Sequence, residues 1–122
     1  MTTIRLGSVS LDSADPIALA SFWANLLNGE IIYTSDDFVA VKLKGTWLST
    51  LRVENYVPPE WPGGTPPKQM HLDLAVDDLE AAELFAIQLG AVKTEFQPQP
   101  EHWRVLLDPA GHPFCLTTMI PD

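Results

Sequence analysis

The chain has 122 residues, 46% of them hydrophobic and with no low-complexity tract, so it reads as one globular domain able to bury roughly two-thirds of the surface its unfolded form exposes. Seven basic against 16 acidic residues give a formal net charge of −9, a field that repels phosphate backbones and anionic membranes and argues against nucleic-acid and membrane partners. The single cysteine, Cys115, excludes an intramolecular disulfide and two-cysteine zinc motifs. No apolar h-region follows Met1-Thr2-Thr3-Ile4-Arg5 and no run approaches membrane-spanning length, so the expected location is the cytoplasm.

Taken in order, residues 4–11 read as a strand with Val9 and Leu11 on one face and Ser8, Ser10 and Asp12 on the other. Asp15-Pro16 then opens a helix, a cap followed by proline at the first helical position, where its missing N–H costs nothing. Ile17, Ala20, Trp23, Ala24 and Leu27 form its apolar stripe and Asn28-Gly29 stops it. Strands follow over 30–34, 38–43 and 47–53, with turns at Asp36-Asp37 and Lys44-Gly45. From Asn55 to Lys68 five prolines surround Gly63-Gly64, an extended connector that cannot sit inside a sheet.

In the stretch 70–76, Leu72, Leu74 and Val76 alternate with His71, Asp73 and Ala75, a strand with one apolar face and one carrying an imidazole and a carboxylate. The spacing predicts a helix capped by Asp77, with Glu80 completing a capping box, an apolar stripe of Leu79, Ala82, Phe85, Ala86 and Leu89, and Gly90 as the stop. Strands near 91–96, over 103–107 and over 114–119 complete the chain, the last two joined by the turn Asp108-Pro109-Ala110-Gly111. Both halves read strand, helix, strand, strand, strand: module one at 4–54, a proline-rich linker at 55–68, and module two at 69–120. Ser8-Val9-Ser10-Leu11 lies opposite His71-Leu72-Asp73-Leu74, Leu27-Asn28-Gly29 opposite Gln88-Leu89-Gly90, and Gly45 opposite Gly111.

The chemistry-bearing residues concentrate on the mixed face of the central strand. His71 and Asp73, two apart on a strand and so about 7 Å from each other, suit an acid/base pair or a ligand clamp as well as a simple hydrogen-bonded strand end. Cys115 would be a nucleophile only beside a cation that lowers its pKa; otherwise it packs as a small hydrophobe. Trp47 and Trp103 begin strands and offer stacking surfaces for a flat ligand, and Trp61 in the proline loop is a lid or a packing plug. His102 and His112 flank a hairpin and read as solvated. The absence of G-x-S-x-G, of a phosphate-cradling glycine loop, of H-E-x-x-H and of C-x-x-C removes serine-hydrolase, P-loop and zincin readings.

A tandem βαβββ repeat with His71 heading the second module and Asp108-Pro109-Ala110-Gly111 before the last strand resembles the vicinal oxygen chelate superfamily, which holds glyoxalase I, bleomycin-resistance proteins and extradiol dioxygenases. Ala14-Asp15-Pro16 with Phe22-Trp23, and Gly111-His112-Pro113-Phe114-Cys115, are similar to its glyoxalase-like subgroup. The resemblance implies an α+β fold in which the two modules form a cup-shaped, partly open mixed β-barrel with helices outside, and a homodimer. It places the family's four ligand positions at Ser8, at Ser49 or Leu51, at His71 and at Cys115.

Only His71 is a usual ligand there, with Cys115 where the family carries Glu, so the count falls short of the three ligands a catalytic metal needs and the expectation is a metal-free cup. If a divalent metal is bound, His71 and Cys115 hold it. The first functional expectation is therefore a small-molecule binding protein of glyoxalase/bleomycin-resistance type, taking a cationic or aromatic ligand with Ser8, Trp47, Ser49, Leu51, Asp73, Trp103 and Cys115. The second is a lyase, isomerase or dioxygenase-type enzyme with His71 and Asp73, or Cys115, in proton transfer. A third makes the chain one module of a larger complex.

Overall fold

A computed structural model describes residues 2–121. The chain divides into two compact units at Tyr56/Val57. In the first, β1 (Ser8–Ser13) is followed by α1 (Pro16–Leu27), β2 (Glu30–Thr34), β3 (Phe38–Lys42) and β4 (Trp47–Arg52). In the second, β5 (Leu72–Ala75) is followed by α2 (Leu79–Leu89), β6 (Val92–Lys93), β7 (Trp103–Leu107) and β8 (Pro113–Thr117). Each is a βαβββ module with a four-stranded mixed sheet, in the order β1-β4-β3-β2 in one and β5-β8-β7-β6 in the other. First and last strands of each module run parallel side by side, because the intervening helix supplies the crossover that parallel pairing requires. The α+β class of two tandem βαβββ modules is the one the repeat predicts.

In the first unit Asp15 accepts the Ala18 N–H at 3.1 Å, Pro16 occupies the first turn, and Asn28 closes the helix in the left-handed conformation. It is Asn28, rather than Gly29, that shares this role with Gly90 at the end of α2. Leu19, Ala20, Phe22, Trp23 and Ala24 are buried, with Val39, Val41 and Leu48 of the sheet also in the core. Phe22 and Trp23 meet edge to face at 5.3 Å, a favoured geometry for aromatic pairs. The buried face is thus rotated from the expected stripe, and Ile17 stands 44% exposed. Thr50, fully buried on β4, donates its hydroxyl to the Pro16 carbonyl at 2.7 Å and ties the start of α1 to the sheet.

In the second unit the core is β8, all five residues of which are buried between β5 and β7, with Ala86 and Ala91 beside it. The buried carboxylate of Asp108 accepts the N–H groups of Ala110 and His112, both at 2.9 Å, and shapes the turn into β8. Gly45 and Gly111, each just ahead of its module's last strand, have φ of +88° and +87°, so the repeat extends to the backbone of the turns.

Several boundaries differ from the sequence expectation, each for a local reason. β1 starts at Ser8 because its partner β4 starts at Trp47, which leaves Ile4 and Leu6 unpaired and exposed. β5 likewise begins at Leu72 and leaves Met70 exposed. The α2 cap is Asp78, which accepts the Ala81 N–H at 3.1 Å; Asp77 lies outside the helix and no capping box forms. Glu80 instead pairs with Arg104 at 2.8 Å. β6 is cut to two residues because the Gln97 side chain replaces a strand neighbour. Its amide donates to the Val105 carbonyl at 2.8 Å and accepts the Val105 N–H at 2.9 Å, satisfying buried groups that a longer β6 would have paired.

Candidate functional site

The second unit encloses a cavity of about 400 Å³. Its floor follows from strand periodicity. His71 and Asp73 come from the head of β5, Trp103 and Val105 from β7, and Pro113, Cys115 and Thr117 from β8, all on one face because alternate residues point the same way. Register brings them together: Asp73 lies beside Cys115 across the parallel β5/β8 pair, and Cys115 lies beside Val105 across the antiparallel β7/β8 pair. The walls are Trp61 and Lys68 from the proline-rich loop, with Ile120 after β8.

That loop is tied rather than merely extended. Glu60 donates its N–H to the Pro66 carbonyl at 2.8 Å and accepts the Lys68 N–H at 3.2 Å, which closes the loop at its base. Trp61 packs against Phe96 with ring centroids 5.4 Å apart and planes tilted by 38°, so its indole is held at the cavity wall. Trp61 therefore belongs to the lining. Lys68 is the residue that the sequence reading missed: it closes a stretch without periodicity, and its only signal is a place three residues before His71.

A polar chain runs along the cavity. Lys68 Nζ lies 3.3 Å from His71 Nδ1, and His71 Nε2 lies 3.2 Å from Asp73 Oδ1. An ammonium group can only donate, so Nδ1 is the acceptor and the imidazole proton sits on Nε2, which donates to Asp73. Asp73 keeps half of its side chain exposed. Cys115 is 9% exposed, and its thiol is pushed up to about 11, first by burial and then by the negative charge of Asp73, opposed by the Lys68 ammonium, with a hydrogen bond to Asp73 adding least. At neutral pH it is a protonated thiol, which disfavours a role as nucleophile.

Of the residues singled out in the sequence, His71, Asp73, Trp103 and Cys115 meet in this cavity. Ser8, Trp47, Ser49 and Leu51 lie on β1 and β4 of the first unit, where Ser8 and Ser49 share a hydroxyl–hydroxyl bond of 3.2 Å. Ser10 pairs with Ser49 as Asp73 pairs with Cys115, so register makes Ser49, not Leu51, the positional counterpart of Cys115. Counting metal ligands as His71 and Cys115 alone omits Asp73. One ligand atom from each of His71, Asp73 and Cys115 falls within 4.8 Å of the others. Three such donors fit the needs of a zinc-like ion, while a set containing sulfur is a poor fit for an oxygen-seeking cation.

Fold and site together define a member of the vicinal oxygen chelate superfamily. The family profile of the glyoxalase-like domain matches residues 8–117, and the chain belongs to that family. No curated protein matches the sequence. Among solved structures, the chain is similar to the fosfomycin resistance protein FosX from Listeria monocytogenes, a mutant form complexed with Mn(II) and 1S,2S-dihydroxypropylphosphonic acid. The TM-score is 0.73 at 16% identity, covering 98% of this chain and 95% of that one. It is also similar to a glyoxalase/bleomycin resistance protein/dioxygenase family enzyme from Burkholderia phytofirmans PsJN, with TM-score 0.69, 20% identity and coverage of 93% and 97%. A third likeness is to a glyoxalase-related enzyme from Fulvimarina pelagi, with TM-score 0.68, 17% identity and coverage of 93% and 86%. At these identities the likeness establishes the fold. No helix among the described residues is long and apolar enough to cross a membrane.

Proposed function

We propose that the second-unit cavity binds a small, flat organic molecule carrying a positive charge. The observation that carries this reading is the pairing of two indoles with one available carboxylate. Trp61 and Trp103 offer π faces and Asp73 is half exposed, while the competing cation, Lys68, is turned toward His71. The acidic net charge favours approach of such a ligand. Small-molecule binding in this fold is also supported by the fosfomycin resistance neighbour, which is complexed with 1S,2S-dihydroxypropylphosphonic acid. Titration with proflavine, a planar cation, followed by tryptophan fluorescence, tests the idea. Trp103→Ala is expected to weaken binding by about 2–30-fold, the range of a cation–π contact of about 0.5–2 kcal/mol. Equal affinity for an anionic anilinonaphthalene sulfonate, unchanged in Asp73→Asn, would remove the reading.

The His71–Asp73 contact favours a second reading, a lyase, isomerase or dioxygenase-type enzyme. Here Nε2–H of His71 gives a proton and the Asp73 carboxylate takes one, within the same cavity. His71, Asp73 and Cys115 are the residues that would hold a divalent cation, which when bound supplies Lewis-acid polarisation of a substrate oxygen. This reading requires turnover that disappears in His71→Ala while the circular dichroism spectrum stays unchanged.

A further inference from the structure

We infer that the ligand of the second-unit cavity is a flat zwitterion, with its cationic end at Asp73 and a carboxylate at Lys68. The inference rests on the reading of a flat cation in this cavity and adds the second charge, which decides what class of compound fits.

Three observations carry it. The first is the donor count of Lys68. An ammonium has three N–H groups, and the contact with His71 Nδ1 at 3.3 Å engages one of them. The side chain is half-buried at the cavity wall, so its remaining donors are available to a ligand there. The second is charge balance. Among the lining residues Lys68 and Asp73 carry opposite formal charges, separated by one imidazole ring and its two contacts. A monocation seated on Asp73 leaves the Lys68 ammonium uncompensated beside it, whereas a ligand that also carries a carboxylate meets both charges. Cys115 on the floor feels both groups: beyond burial, its thiol is raised by the Asp73 carboxylate and lowered by the Lys68 ammonium.

The third is layout. Lys68, His71 and Asp73 lie before and at the head of β5, the first strand in the order β5-β8-β7-β6, whereas Pro113, Val105 and Trp103 lie across β8 and β7. The cavity thus has a charged side and an apolar side. It suits a planar ring whose two charged substituents project from the same side, with the indoles of Trp61 and Trp103 as stacking surfaces. A doubly charged phosphate would exceed the single charge of Lys68, so the acid group is a monoanion, here a carboxylate. N-heteroaromatic and aminoaryl carboxylates of one or two rings meet these requirements and fit a volume of about 400 Å³.

The test uses the untagged full chain and two planar cations of equal shape, 1-methylpyridinium-3-carboxylate and its amide, 1-methylpyridinium-3-carboxamide, each titrated by calorimetry at pH 7. The carboxylate is expected to bind on the order of tenfold tighter than the amide, the low end of a hydrogen bond to a charged group. Lys68→Met, which keeps the stem and removes the charge, should erase that preference, and Lys68→Arg should retain it. Asp73→Asn should weaken both compounds alike. Equal or tighter binding of the amide, or a preference for the carboxylate that survives in Lys68→Met, would overturn the zwitterion while leaving the flat cation in place. If neither compound binds and proflavine does, the zwitterion also falls; if proflavine fails with them, the flat-cation reading falls too.

Discussion

The two units share a topology, a strand order and a register, yet they carry opposite burdens. The first is the better packed: α1 buries six residues, including Phe22 and Trp23, whereas α2 buries only Ala86 and leaves Leu84, Phe85 and Ile87 exposed. α2 is tied to its sheet by charge, with Arg104 of β7 contacting Glu80 at 2.8 Å and Glu83 at 3.5 Å, and Lys93 of β6 contacting Glu83 at 3.1 Å. On the opposite face of the sheets the balance reverses. Ser8, Ser10 and Ser49 give the first unit a hydroxyl face, in which Ser8 and Ser49 bond to each other, while His71, Asp73 and Cys115 give the second an ionisable one. A single scaffold thus fixes positions without fixing chemistry, which resides in the side chains placed there.

The largest expected effect tests the packing half of this contrast. Trp23→Ala removes a fully buried indole from the first unit and should cost about 3–5 kcal/mol, read from urea denaturation. Phe85→Ala on α2, where the ring is 46% exposed, should cost under about 1 kcal/mol. Equal losses would mean that the two helices share the core evenly.

Exchanging the chemistry is the next step. Replacing His71, Asp73 and Cys115 together by serine gives the second unit the hydroxyl face of the first, and should leave the far-ultraviolet spectrum unchanged while removing the titratable thiol and any binding of a divalent cation. Loss of the fold would show that these side chains stabilise β5 and β8 rather than merely occupying them.

A gentler probe is the thiol itself. With Cys115 pushed up to about 11, alkylation should be slow at pH 7 and rise about tenfold per pH unit toward that value, and Asp73→Asn should speed it by removing the adjacent charge. Because the folded chain holds this proton more tightly than the unfolded one, the associated stability is present below the ordinary thiol pKa and is lost as the pH rises through about 11. A neutral-pH thiol as reactive as free cysteine would contradict the burial and the contact with Asp73.

Much of the fold was legible in the sequence because glycine, proline and Asx residues punctuate both modules in parallel. The spans of β2 and β7 agree with the periodicity residue for residue. The departures arise where a partner decides: β1 can be no longer than the β4 that pairs it, and Gln97 displaces β6 through a side-chain contact that no local pattern encodes. Asp77 and Asp78 are equal as caps on paper, and the route of the preceding strand selects the second. At the site, alternation identified the faces of His71, Asp73 and Cys115, but the adjacency of Asp73 and Cys115 depends on a parallel register across forty-odd residues. Trp61 and Lys68 could not be placed, since their loop has no period to read.

Lys68 sharpens the contrast further, because nothing in the hydroxyl face of the first unit calls for a counter-charge. Its ammonium donates to His71 Nδ1, which keeps the imidazole proton on Nε2, the nitrogen turned toward Asp73. A divalent cation seated between His71 and Asp73, as in the enzyme reading, requires Nε2 to be free of that proton, and the proton then belongs on Nδ1, where it faces the Lys68 ammonium. Lys68 therefore opposes the metal both by charge and by tautomer. Lys68→Gln, whose side-chain carbonyl accepts from Nδ1–H, should tighten binding of Co²⁺, a divalent probe, by roughly tenfold, the effect of one outer-shell partner, and the gain should shrink as salt screens the half-exposed charge. Weaker binding in this variant would instead make Lys68 a support of the site, holding His71 in position for the ion.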